Sequence, residues 1–344
     1  MGYSKSDINV LESAQHISQN STHVHIPLDA IDQAARTTMK NMKQRHYSTK
    51  TWNEHELQPK TLDASTVDWI FLVDILNFSF WSDLDSSDKC QPHPERYTIQ
   101  HHRTSYTGYW SLCAAINRAL EQGIPVTDPA YYATANDEAL ESIFKSDTQE
   151  SIPLLDQRKA VMREAGKVLL EKFDGSFVNC IRQAHQSASA LLLLLTQHFP
   201  SFRDIHSFEG RQVAILKRAQ ILIADIWACF DGQGYGTFHD IDSITMFADY
   251  RVPQALYSLG ILRYSNDLMT KLEKQVLLPS GSREEIEIRG NSIWAVELML
   301  RRMKEIDPTL NVNAILIDFY IWDTAKELQD QMTIPIHRTR SIFY

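Results

Sequence analysis

The chain has 344 residues, of which 43% are hydrophobic and 22% charged, with a formal net charge of −9. This is globular composition with enough apolar chain for a large core, and length alone suggests about two domains at roughly 150 residues each. An acidic chain repels a phosphate polymer, which argues against long nucleic acid as a direct partner, yet a local basic pocket can still hold one nucleotide.

The four cysteines, Cys90, Cys113, Cys180 and Cys229, are scattered with no C-x-x-C pair. A disulfide framework or zinc site is therefore not expected, and a reducing compartment is. No apolar run is long enough for a membrane span, and the N-terminus lacks signal-peptide order, so a cytoplasmic protein is expected. Gly2 and Ser6 fit the short M-G-x-x-x-[ST] myristoylation pattern.

Residues 1–50 read as a polar arm followed by a helix around Ala30–Lys43, docking on a single helical body at 51–344. Ser65 and Asp68 have capping-box spacing before an apolar run that reaches Trp81. Tyr109, Leu112, Cys113, Ile116 and Leu120 recur at helical spacing until Gly123 and Pro125. Asp128-Pro129 and Asn136 mark helix starts. Helices are predicted over Leu155–Phe173, Phe177–Phe199 and Gln212–Phe230, the last followed by the glycine loop at 232–236. Ile241–Leu259 should break near Val252, because Pro253 disfavours helix there. Ile286 and Ile288 alternate with Glu287 as in a short strand, and Ser292–Met303 and Ala314–Leu328 complete the helices. The predicted fold is all-α or nearly so.

A Walker A loop, H-E-x-x-H, G-x-S-x-G and Glu-x-x-His are all absent. The glycine loop follows no strand and fails the dinucleotide test. His239-Asp240 resembles the dipeptide of metal-dependent phosphohydrolases, with His101 and His102 as further ligands to recruit, but the order does not support a metal site. The stretch Thr245–Gln254 puts Asp249, Tyr250 and Arg251 at a backbone break, where a carboxylate can enter a cavity and Phe247 can stack on a heterocycle. A surface Asp249–Arg251 ion pair is the alternative. In Asp318-Phe-Tyr-Ile-Trp-Asp323, residues four apart share neighbouring faces of a helix. Two acids among aromatics could grip the N–H donors of a guanine-like base, or instead pair with Arg338 and Arg340. Aromatics also cluster at 77–81 and 106–110, mostly as core.

Several phrases together resemble the queuosine salvage family: Leu76-Asn-Phe-Ser-Phe-Trp81, Tyr106-Thr-Gly-Tyr-Trp-Ser-Leu-Cys-Ala-Ala115, Lys217-Arg-Ala-Gln-Ile-Leu222, Met246-Phe-Ala-Asp-Tyr-Arg251 and Glu287-Ile-Arg-Gly290. Trp322-Asp323, His337-Arg338 and Glu12-Ser-Ala-Gln-His-Ile-Ser-Gln-Asn20 match too, so the likeness spans nearly the whole chain. The resemblance implies a helical architecture like that of base-excising DNA glycosylases. It also implies release of queuine from queuosine 5′-phosphate. It makes Asp249 the catalytic carboxylate and His55, Phe247, Asp318, Phe319 and Asp323 the contacts to the base. Phe319 stands where a tyrosine is expected, which removes a hydroxyl but keeps the stacking face. Tyr250 and Trp322 are further candidates for the substrate, and Lys217, Arg218 and Arg251 for its phosphate. No metal or cofactor is expected, and the expected state is a monomer with a small-molecule partner and neither nucleic acid nor membrane. The other readings are a metal-dependent phosphohydrolase and a non-catalytic queuine-binding or tRNA-associated module.

Overall fold

The computed structural model describes residues 9–85, 93–332 and 334–344, so the Gly2–Ser6 pattern and Cys90 lie outside the described residues. Helix α1 (Val10–Gln19) begins where the Asn9 side chain accepts the Glu12 N–H. Strand β1 (Val24–His25) and α2 (Leu28–Gln44) follow. After a 3-10 turn at Thr49–Glu54 come α3 (Ala64–Ile75), the hairpin β2 (Thr98–His101) and β3 (Thr104–Thr107), and α4 (Tyr109–Glu121). The middle of the chain holds α5 (Pro129–Thr134), α6 (Asp137–Ile143), α7 (Leu155–Lys172), α8 (Phe177–Gln183) and α9 (Ala188–His198). Then come the hairpin β4 (Ile205–Phe208) and β5 (Arg211–Ala214), α10 (Lys217–Cys229), α11 (Arg251–Ser258), β6 (Arg263–Tyr264) and α12 (Asn266–Glu273). The last helices are α13 (Arg283–Ile306) and α14 (Ala314–Glu327). The strands form three two-stranded antiparallel ribbons, with β1 pairing β6 so that Val24 faces Tyr264. Among the described residues no helix is long and apolar enough to cross a membrane. The fold is all-α with small ribbons.

Several elements depart from the sequence reading, each for a local reason. Helix α3 is capped by Asp63, whose carboxylate accepts the Ser65 and Thr66 N–H groups, and not through a Ser65–Asp68 box. It stops at Ile75, and residues 76–81 leave helical geometry. The predicted 177–199 helix is two helices, because His185 and Gln186 take left-handed φ and Ser187 caps anew. The first residues of the predicted 212–230 helix are strand, and the turn is made at left-handed Leu216. The strand expected at 286–288 lies inside 24-residue α13. Residues 285–293 of that helix are buried on every side, so hydrophobic alternation carries no face information there. Pro253 falls in the first turn of α11, where a missing N–H has no helical partner to lose.

Helix α1 and the 22–24 segment are fastened to α13. Glu287, fully buried, accepts the N–H groups of Thr22, His23 and Val24 at 2.9, 2.6 and 3.1 Å. Gly290 lets α1 come close, since a Cβ there would stand 2.6 Å from the Ile17 side chain.

Three of the largest fully buried side chains are arginines, Arg158, Arg218 and Arg289. Two of them serve the irregular segment after α3. Arg158 donates to the Leu76 carbonyl at 2.5 Å and to that of Phe78, and Arg218 donates to Ile75 and Ser201 carbonyls. Both guanidiniums lie against the Phe78 ring. Burial pushes their pKa values down, to about 9 and about 10. Lys217, Arg96 and Arg340 take the carbonyls of Asn77, Phe80 and Trp81. A chain that leaves helix inside a core must find donors for its carbonyls, and here cationic side chains supply them. Arg289 does the equivalent work for the segment before α11. It bridges Asp204 at 2.5 Å and Glu285 at 2.9 Å, donates to the Ala248 carbonyl at 2.9 Å and lies 4.0 Å from the Tyr344 ring centroid.

Arg289→Met should strand two buried carboxylates and destabilise the fold by about 3–5 kcal/mol. Urea denaturation measures this, and adding Asp204→Asn with Glu285→Gln should recover much of the loss. A single variant as stable as the parent would contradict the role given to Arg289.

Candidate active site

One cavity of about 1220 Å³ brings together residues from the 3-10 turn, the 76–81 segment, α4, α10, the 245–250 segment, α11, α14 and the C-terminal tail. His55, Lys217, Phe247, Asp249, Tyr250, Arg251, Asp318, Phe319, Trp322 and Asp323 all line it. Arg218 does not, because its guanidinium is held at the Ile75 and Ser201 carbonyls between the Phe78 and Phe202 rings.

The 245–250 segment is irregular, and side chains from elsewhere hold Thr245, Phe247 and Ala248. Gln220 accepts the Thr245 N–H and hydroxyl at 3.0 and 3.1 Å. Asp318 accepts the Phe247 N–H at 3.0 Å, and Arg289 holds the Ala248 carbonyl. Asp249 Oδ1 then accepts the N–H groups of Arg251 and Val252, each at 2.8 Å, at the start of α11. Its Oδ2 has no hydrogen-bond partner among the described residues. The Asp249–Arg251 surface ion pair is not formed, since the Arg251 guanidinium bonds Gln254 at 2.8 Å.

Helix α14 presents Asp318, Phe319, Trp322, Asp323 and Lys326 to the cavity, the i, i+1, i+4, i+5, i+8 positions of one face. Asp323 accepts a short hydrogen bond from the Tyr47 hydroxyl. The proposed partners of these acids are occupied elsewhere: Arg338 bonds the Asp85 carbonyl, and Arg340 bonds the Trp81 carbonyl and Asp83. Aromatic rings make the walls. His55 stacks on Trp110 with centroids 3.4 Å apart and planes 6° apart. Trp110 meets Tyr109 at 4.9 Å and Trp322 at 6.5 Å, while Phe247 and Phe319 are tilted at 5.9 Å.

Burial raises the Asp249 pKa, and Lys217 with the two backbone N–H groups works in the opposite direction, favouring the anion. Burial holds Asp318 well above the usual carboxylate range, against the Phe247 N–H. It raises Asp323 too, opposed by the Tyr47 hydrogen bond. Lys217 is pushed down to about 8 by burial, even though Asp249 and Asp74 favour its charge. Its ammonium donates to Asn77 Oδ1 at 2.9 Å. Burial also lowers the His55 pKa, which favours a neutral ring.

Asp240 is used structurally: it accepts from the Ser187 hydroxyl and from the Ala188 and Ser189 N–H groups at the start of α9. Among the described residues, the group that could hold a metal is His101, His102 and Glu121, none of which lines the cavity. Sequence reasoning missed Tyr47, Trp52 and Asp225. Trp110 belongs to an aromatic cluster read mostly as core. Asp225 sits on a helix whose apolar stripe hid it, and Tyr47 and Trp52 carry no local signal.

A family model described as queuosine salvage protein matches residues 57–344. The chain is 49% identical over 348 residues to a Schizosaccharomyces pombe protein named queuosine 5′-phosphate N-glycosylase/hydrolase, covering 97% of this chain and 99% of that one. Proteins of the same name from Mus musculus and Sphaerobacter thermophilus are 45% and 39% identical. These matches cover 97% and 98% of this chain, and 98% of each relative.

Asp318→Asn should make the protein more stable while impairing the site. An unfolded Asp ionises near about 3.9, and folding raises that value, so the native state binds the extra proton and loses stability as pH rises through this window. Asparagine escapes that loss. The stability advantage of the variant should therefore grow from pH 5 to pH 8 in thermal unfolding, and a pH-independent difference would refute the assignment.

Proposed function

Because the chain belongs to the queuosine salvage protein family, we propose that it hydrolyses the N-glycosidic bond of queuosine 5′-phosphate and releases queuine, with Asp249 facing the ribose. The observation that carries the assignment of Asp249 is a half-buried carboxylate, one oxygen fixed by two backbone N–H groups and the other unpartnered among the described residues, in an aromatic-walled cavity. Breaking the bond leaves its electron pair on the base and positive charge on the ribose ring. A fixed anion lowers the energy of that charge, or attacks it to form a covalent intermediate that water then resolves. Burial favours the neutral form of Asp249, and Lys217 with the two N–H groups opposes it by favouring the anion that either role requires.

The base would lie among Phe247, Phe319, Trp322 and the His55–Trp110 stack, with Tyr250 beside it. Asp318 and Asp323 would accept its N–H donors. Phe319 stacks without a hydroxyl. For the phosphate, Arg251 is the better of the two remaining candidates. It lines the cavity with Arg96 and Lys326, close enough that the three cations repel one another, and a phosphate relieves that repulsion. Lys217 already bonds Asn77 and stands among carboxylates.

Asp249→Asn should keep the fold and lower queuine release at least about 10³-fold, the upper end of what one electrostatic group contributes. Mass spectrometry of product queuine reads this, and near-normal turnover would refute the assignment. Arg251→Ala should raise KM for the nucleotide about 10- to 100-fold, the loss of one charge-assisted hydrogen bond, with no comparable change for the unphosphorylated nucleoside. Equal effects on both substrates would remove Arg251 from the phosphate site.

A further inference from the structure

Lys217, Ile221 and Asp225 stand four apart on α10 and all line the cavity, so one helical stripe carries an acid into the hollow eight residues beyond the lysine. Asp225 is buried, and the Trp52 indole N–H approaches it from the 3-10 turn. Beneath it, on α3, Asp74 is fully buried; its Oδ1 accepts from Asn77 at 3.2 Å, and its Oδ2 has no partner among the described residues. Four carboxyl groups, Asp74, Asp225, Asp249 and Asp318, thus gather around the ammonium of Lys217, and Arg218 also favours the charge of Asp74. They cannot all be ionised in so little water, because like charges at close range force a proton onto one of them.

We propose that Asp225 contacts the substrate as a neutral carboxyl, donating an O–H hydrogen bond to the ring carbonyl of the guanine-like base, and that Asp74 is the positioning residue that keeps the proton there. This rests on the base lying beside Asp318, as in the function proposed above. The other groups facing Asp225 agree. Burial, followed by the charge of Asp74, holds Asp225 well above the usual carboxylate range, with Asp318 adding to the shift and Lys217 opposing it. Tyr109 and Cys113 of α4 and Cys229 of α10 also face it, each held neutral by burial. Asp74 itself is raised to about 7. As the glycosidic bond breaks, negative charge grows on the leaving base, and a donor aimed at its carbonyl binds the transition state more tightly than the ground state. The cavity then offers both kinds of partner to the base: an acceptor at Asp323 and a donor at Asp225.

The test is the pH profile of kcat/KM for queuosine 5′-phosphate in four proteins. In the parent, ionisation of Asp225 should appear as an alkaline loss of activity. Asp225→Ala should lose about 10²-fold, as expected for one removed transition-state donor. Asp225→Asn keeps a neutral donor that does not titrate; it should stay within about tenfold of the parent and lack the alkaline limb. Asp74→Asn removes the neighbouring charge, so Asp225 should ionise more readily and the alkaline limb should move to lower pH. Circular dichroism and thermal unfolding confirm that each variant is folded. The proposal is overturned if folded Asp225→Ala turns over like the parent, if Asp225→Asn is as impaired as Asp225→Ala, or if the limb is the same in the parent and Asp74→Asn. A parent that releases no queuine would instead overturn the function itself.

Discussion

A single buried guanidinium orders the segment that carries Asp249 into the cavity. Arg289 stands on the longest helix and joins Asp204, which lies just ahead of β4, to Glu285 on its own helix, to the Ala248 carbonyl and to the ring of Tyr344. Burying a charge is costly unless it is paired and its donors are used. Burial works against the Arg289 charge, but Asp204 and Glu285 outweigh it and raise its pKa. The residue after Ala248 is Asp249. The position of the Asp249 carboxylate is therefore set by a network whose charged members all lie outside the cavity lining.

The same device recurs at residues 76–81. Residues 76–81 have left helical geometry, and their carbonyls are met by Arg158, Lys217, Arg96 and Arg340. The tail closes over this segment, with the Trp81 indole donating to Thr339 and the Ser79 N–H to the Tyr344 carbonyl. Irregular backbone is useful at a cavity because it turns side chains and peptide groups inward where a helix would cover them. It persists in a core only where outside donors satisfy it. Cationic side chains are suited to this, since one guanidinium reaches two or three carbonyls at once.

The cavity concentrates acids in a way that opposes stability. Asp249, Asp318, Asp323 and Asp225 all have raised pKa values with burial as the first cause. Each is only partly compensated by a peptide N–H, a phenol, an indole or Lys217. In the function proposed above, such an arrangement serves a ligand that brings its own donors and a ring that turns cationic as its bond breaks. Stability given up in the empty site becomes differential binding in the occupied one.

The sequence by itself determined most helices, because their faces repeat and their caps are local: Asp128, Asn136 and Ser187 all cap as side chains, although Ser187 was hidden inside one long apolar run. It also determined the family and, through it, a residue set that the cavity gathers with the exception of Arg218. Periodicity failed where burial is complete on all sides, as at Ile286 and Ile288, and where long-range donors replace helical bonds, as at 76–81. Only the tertiary structure decided that Lys217 faces Asp249 while its neighbour Arg218 points to the Ile75 and Ser201 carbonyls. The same is true of Tyr47, which meets Asp323 across 276 positions of chain. Adjacent residues on a helix point about 100° apart, so which of two basic neighbours reaches a cavity depends on what packs against each face, and that is fixed by residues far away along the chain.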